Sequence, residues 1–143
     1  MAPFTHAVSV AAPPATVFPW LVDEDKIRRW TDGIDGYEIV GGGPAALGKH
    51  VRVTLTVSGH ALTLDQQIVA FEPPTTLAMR AESKGLGVAS AYRVEPEGEG
   101  ARVTQTVDLE AKGMTAKLLA PTVRKHMEAK FEADLGRLRE ALG

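Results

Sequence analysis

The chain has no cysteine and only four histidines among its 143 residues. The first absence excludes disulfides and thiol nucleophiles. Together the two argue against a structural zinc site, which draws its ligands mostly from those residue types. Neither sign of charge is in excess: 16 Lys and Arg stand against 18 Asp and Glu, a formal net charge of −2. There is thus no global basic field to draw in nucleic acid or an anionic membrane. Aromatic residues make up only 6%. No apolar run approaches the roughly eighteen residues that mark a membrane span, and no basic segment leads into an apolar one at the N-terminus. The expectations are a protein that does not insert into membranes and a cytoplasmic location. The rest is ordinary for a globular protein, 44% hydrophobic and 24% charged, and the length suits a single domain over residues 1–143.

Phe4, His6, Val8 and Val10 alternate with Thr5, Ala7 and Ser9, the pattern of a half-buried strand. Pro13 and Pro14 end it and are placed to open a helix, because the first helical amide has no partner to lose. Val17, Phe18 and Leu21 recur at helical spacing, with Pro19 one turn in. Asp23 is placed to cap a second short helix carrying Ile27 and Trp30. From Tyr37 to Leu109 the period drops from 3.6 to 2. Val51, Val53, Leu55 and Val57 share one face, against His50, Arg52, Thr54, Thr56 and Ser58; Leu62, Leu64, Gln66, Ile68 and Ala70 follow suit. Gly59-His60 reads as a two-residue hairpin loop with glycine first. That loop pairs Val57 with Leu62, Leu55 with Leu64 and Val53 with Gln66, and sets both apolar rows on one face. Glu72-Pro73-Pro74-Thr75, Ser83-Lys84-Gly85 and Glu97-Gly98-Glu99-Gly100 bound further strands near 76–82, 87–95 and 101–110. The count is about seven antiparallel strands. One face is apolar and covered, and the other is rich in Thr, Arg and Glu.

Ala120, Val123, Met127, Phe131, Leu135, Leu138 and Leu142 advance by three and four. They form the apolar stripe of a helix of about twenty residues. Pro121 is expected to start this helix or to kink it away from a turn around 115–119, whose Leu118 is out of phase with the stripe. Asp134 falls within the stripe and is expected at its wet edge, since a desolvated carboxylate there would have a raised pKa.

The order of elements, with Val8-x-Val10-x-Ala12-Pro13, Val17-Phe18-x-x-Leu21-x-Asp23 and Trp30, resembles the opening of the helix-grip (SRPBCC) superfamily. Tyr92-x-Val94-Glu95-Pro96 with Arg102-Val103-Thr104 resembles its final hairpin, and Asp134-Leu135-x-x-Leu138 its last helix. START-like lipid carriers, pollen-allergen-type proteins and polyketide cyclase/dehydrase proteins belong to it. The resemblance implies an α+β helix-grip fold: a roughly seven-stranded antiparallel sheet curved around a long C-terminal helix, two short helices between strands 1 and 2, and a pocket between sheet and helix. Its motifs are packing patterns, diagnostic of fold rather than chemistry. Aromatase/cyclases of this superfamily carry a pocket Tyr shortly after the Trp, and Tyr37 stands where that Tyr would be. They also use an Arg from the middle of the sheet. The corresponding strand here, Leu64-Asp65-Gln66-Gln67-Ile68, has none, so the electrostatic partner of a polyketide's carbonyls is missing.

On that fold, alternation places Val53, Leu55, Leu64, Gln66, Met79, Tyr92 and Gln105 on the covered face, under Val123, Met127 and Phe131 of the helix. The plain reading of such residues is core packing. A cavity of about 300 Å³, at about 24 cal/mol per Å³, would forfeit about 7 kcal/mol, comparable to a domain's whole stability. A pocket retained at that cost would be used or wetted. Gln66 and Gln105 interrupt apolar rows, and a buried amide without a partner costs about 1–3 kcal/mol. They are expected to bond each other, water or a ligand. Tyr37 and Tyr92 each join a ring to a hydroxyl, suited to the polar tip of an apolar guest.

The remaining polar features point to less. His6 is expected at the strand's fringe, His50 and His126 at the surface and His60 in a turn, so no metal-binding set forms. Gly41-Gly42-Gly43-Pro44 lacks the Lys-Ser/Thr ending of a phosphate loop and opens no helix, so a bend is its expected role. The leading expectation is a cofactor-free module that binds a small hydrophobic or amphipathic molecule, lipid-like or aromatic. One alternative is a polyketide cyclase/dehydratase with Tyr37 as proton donor. The other is a protein–protein, cochaperone-like module, which would need an exposed apolar patch on the sheet's outer face. Phe18, Leu21 and Trp30 read as scaffold, with function beginning at Tyr37.

Overall fold

The computed structural model describes residues 3–57, 59–83 and 85–143. Ser58 and Lys84, which the sequence assigns to a strand and a turn, lie outside the described residues, as do the side chains of Val57 and His60. Strand β1 (Phe4–Val10) leads into three short helices, α1 (Pro14–Val17), α2 (Pro19–Val22) and α3 (Glu24–Trp30). Six strands follow: β2 (Ile34–Ile39), β3 (His50–Val57), β4 (His60–Glu72), β5 (Thr76–Ser83), β6 (Leu86–Glu97) and β7 (Gly100–Ala111). Helix α4 (Met114–Leu142) closes the chain. The strands form one seven-stranded antiparallel sheet in the order β1-β7-β6-β5-β4-β3-β2. Helix α4 packs against β1, β3, β7 and α3. This is the α+β helix-grip architecture.

The short helices number three rather than two because Pro19 has no N–H to carry a helical bond back into α1. The chain closes one turn with Phe18 N–H to Pro14 O (3.0 Å) and starts another that ends with Asp23 N–H to Pro19 O (2.9 Å). Asp23 is the N-cap of α3 through its backbone, whose carbonyl accepts from Ile27 N–H at 2.8 Å. Its carboxylate makes no cap bond and lies 3.6 Å from Lys26 Nζ instead.

The β3–β4 register differs from the expected one by two residues. Val57 pairs with His60, Leu55 with Leu62, Val53 with Leu64 and Val51 with Gln66. His60 therefore opens β4 rather than sitting in the turn, and Gly59 before it has φ 79°. Glycine takes the left-handed position at no steric cost wherever it falls in the loop, so its presence does not say which neighbour shares the turn. A slip of two preserves side-chain parity, and both apolar rows still share a face.

Helix α4 starts at Met114, well before Pro121, which lies inside it. The first turn is closed by Lys117 N–H to Gly113 O (3.1 Å), and burial of Ala116 and Ala120 holds it against the body. Leu118 is 76% exposed, as its phase requires. The buried core divides in two. The larger cluster joins Val17, Phe18, Trp20, Leu21 and Trp30 to the sheet's centre and to Leu135 and Leu138. The smaller gathers Phe4, Val88, Val107, Leu109 and Met127.

Candidate functional site

A cavity of about 100 Å³ lies between the two clusters, bounded by the sheet, α3 and α4. It is smaller than the size assumed from sequence. At about 24 cal/mol per Å³ it forfeits only about 2–3 kcal/mol, which a domain of this length can sustain. Alternation turns Val53 and Leu55 of β3, Leu64 and Gln66 of β4, Met79 of β5, Tyr92 of β6 and Gln105 of β7 toward it. Tyr37 of β2 joins them, and Met127 and Phe131 of α4 form the roof. Val123 does not line the cavity. It sits one turn nearer the helix start and packs against the smaller cluster.

Several lining residues were not expected there. Leu21, Ile27 and Trp30 form a wall from α2 and α3, so these helices are not scaffold alone. Trp30 is fixed by Nε1–H donating to Trp20 O (2.8 Å), and its ring meets Tyr92 edge-on at 6.4 Å. Phe18 stays in the core, edge-on to Phe71. Val88 and Ser90 share parity with Tyr92, so alternation along β6 carried the signal for them. Thr31, Ile34 and Lys130 complete the lining. Neither Thr31 nor Lys130 stands out in an apolar pattern.

Gln105, 3% exposed, does not bond Gln66; its Nε2 donates to the hydroxyl of Tyr92 at 3.0 Å, directly across the β6–β7 pair. Burial, and then the negative charge of Asp134, push the Tyr92 phenol well above its usual range, with the Gln105 bond acting the other way. Tyr37 is pushed up to about 12, chiefly by burial and then by Glu24 and Asp23. Its hydroxyl reaches Val22 O only at 3.5 Å. Both phenols therefore stay protonated at neutral pH. Neither is poised near neutrality, where proton transfer is most effective.

Asp134 is buried at 2% exposure, not at a wet edge. It pairs with Lys130 Nζ at 2.5 Å and with Arg137 Nη2, and accepts from the backbone N–H of Asp32 at 3.2 Å. Arg137 Nε also donates to Trp30 O (3.0 Å), so the cluster pins α4 to the end of α3. Stripe position alone could not reveal this, because both cations lie within one helical turn of the acid and their reach depends on packing. His6 is half-buried rather than fringe: its Nε2 is enclosed without a hydrogen bond, 3.9 Å from Glu128 Oε1. His50 is a surface residue bonded to Asp65 (3.0 Å), and His126 is exposed. No group of His, Asp and Glu able to hold a metal occurs among the described residues.

Gly41, Gly42 and Gly43 all have positive φ, and the adjoining groove is lined by Asp23, Glu24 and Asp25 against the single cation Lys26, a net negative charge that would repel a phosphate. On the sheet's outer face His50, Asp65, Gln67, Arg80, Asp108 and Glu110 line a polar depression. No helix among the described residues is long and apolar enough to cross a membrane.

The fold is shared with solved structures. A Thermus thermophilus protein, TTHA0849, superposes with a TM-score of 0.80 at 19% identity, over 99% of this chain and 97% of that one. The di-domain ARO/CYC StfQ of the steffimycin biosynthetic pathway matches with a TM-score of 0.78 at 16% identity, over 98% of this chain and 50% of that one. A START superfamily protein from Mycobacterium smegmatis matches with a TM-score of 0.69 at 17% identity, over 97% and 98% respectively. At these identities the likeness is one of fold. No curated protein matches the chain. A family model described as "Polyketide cyclase / dehydrase and lipid transport" matches residues 1–143.

Proposed function

The chain belongs to the polyketide cyclase / dehydrase and lipid transport family, and within it we propose that this protein binds a small hydrophobic or amphipathic molecule, aromatic or lipid-like, between sheet and terminal helix. One observation carries the reading: the core is interrupted by a largely apolar cavity with several polar side chains in its wall. Apolar walls supply affinity, while Tyr37, Gln66, Tyr92 and Gln105 orient the polar end of the guest. With this reading goes the cytoplasmic location expected from the sequence.

A second reading, cyclase or dehydratase chemistry on an aromatic precursor, is supported by the family and by the likeness to an ARO/CYC fold. In it Tyr37 would donate a proton from the wall. A phenol held at about 12 is a weak acid at neutral pH, and among the described residues no Arg lines the cavity, which is why binding is the preferred reading. Native mass spectrometry of the protein from its own cells tests the first reading. A retained small molecule is expected, and lost when Val53→Phe fills the cavity; no adduct in either form would overturn it. Turnover of a poly-β-ketone that drops in Tyr37→Phe would instead favour the enzyme.

A further inference from the structure

Among the described residues Lys130 is the one charged side chain lining the cavity, and no Asp or Glu lines it. Its side chain is only 11% exposed. An ammonium carries three donors, and the contact that satisfies one of them is Asp134 Oδ2 at 2.5 Å. Asp134 is itself shared with Arg137 and with the backbone N–H of Asp32. The buried part of the cluster is therefore one ammonium against one carboxylate, since the Arg137 side chain is 39% exposed. Asp32 and Arg137 both lie, with Thr56 and His126, on a groove on the far side of Lys130, where solvent and salt screen them. Lys130 lines both this groove and the cavity, so it forms the partition between them. The other polar groups around the cavity, the hydroxyls of Thr31, Tyr37, Ser90 and Tyr92 and the amides of Gln66 and Gln105, are neutral and can each donate or accept.

Resting on the binding function above, we propose that the guest is a compact organic acid, one ring or a short branched chain with a single carboxylate, whose anionic end is received by Lys130. A carboxylate there completes the ammonium's shell with a charge-assisted hydrogen bond, roughly twice as strong as a neutral one. Guest size follows from the space. The cavity of about 100 Å³ is smaller than the roughly 150 Å³ that accepts benzene in an engineered core. A ring enters as Met79 and Met127 repack, and its charged substituent stays in the wall.

Calorimetric or ligand-observed NMR titration of the full chain with benzoate and with its neutral isostere benzamide tests this. At neutral pH and low salt, benzoate is expected to bind at least tenfold more tightly, and Lys130→Met to remove that ratio. Asp134→Asn, which frees Lys130 of its competitor and keeps an acceptor for Asp32 N–H, is expected to raise the benzoate preference further; it serves if Lys130→Met does not fold. Equal affinity of the two probes, or a ratio that survives Lys130→Met, overturns the acid proposal and leaves the binding function standing. Absence of binding by either probe counts against the binding function itself, and the proposal falls with it.

Discussion

At the scale of the residue, the Gln105–Tyr92 pair is the clearest test of how the cavity wall is satisfied. Gln105 is buried and Tyr92 half-buried, and each answers the other at 3.0 Å. Tyr92→Phe strands the amide and is expected to cost about 1–3 kcal/mol in denaturant unfolding. Adding Gln105→Leu should recover most of that loss, and purely additive costs would show that the bond does not couple them. Tyr37 gives a pH test. Its phenol ionises near 12 in the folded chain against an ordinary value of 10.0, so the folded state holds more protons between those values. Stability is then full below about pH 10 and falls as pH rises toward 12. Tyr92 contributes in the same direction. Tyr37→Phe should flatten part of that fall, and an unchanged profile would mean the phenol is not desolvated. Alternation alone places Gln105 inward, because β-strand parity is local. Its partner was not legible, since it depends on the register between two strands.

At the scale of the element, α4 does two jobs with one face. Leu135 and Leu138 fill the larger core while Asp134, between them and the cavity roof, accepts from Asp32 N–H and Arg137 donates to Trp30 O, tying the helix to the end of α3. Asp134→Ala leaves Lys130 and Arg137 without their shared carboxylate and is expected to cost about 3 kcal/mol, the range for breaking a buried pair from one side. Urea denaturation of the two forms measures it, and a change under about 0.5 kcal/mol would place Asp134 in the class of surface ion pairs. Pro121 removes a helical N–H inside α4. Pro121→Ala should stabilise by about 1–3 kcal/mol if the helix is continuous through that point; a loss of thermal midpoint would show that proline sets the direction of the first turns. The stripe from Ala120 to Leu142 was legible because its period is helical. The extension back to Met114 was not, since only Ala116 and Ala120 face inward there and alanine carries little hydrophobic signal.

At the scale of the whole molecule, the cavity exists because two core clusters approach without merging, with Trp30 and Tyr92 on one side and Val88, Met127 and Phe131 on the other. The fold was legible in the order of elements, which no local error disturbed. The two-residue slip at Gly59 kept parity, and the break at Pro19 only divided one short helix. The site was legible where it lies on strands. It was hidden where Leu21, Ile27 and Trp30 approach from the short helices, because an amphipathic helix does not declare whether its apolar face meets core or cavity. Lys130 was hidden for the opposite reason: a lysine in a helix is read as solvated until the fold buries it.

The methionines offer the most direct test of the central claim, that a small guest enters between sheet and helix. Met79 and Met127 line the cavity, whereas Met114 is 80% exposed at the start of α4. With ¹³C-methyl-labelled methionine, addition of benzamide is expected to shift the Met79 and Met127 methyl resonances saturably and leave that of Met114 in place. Methyl signals that all stay fixed, or a shift at Met114 alone, would contradict a guest site in this cavity.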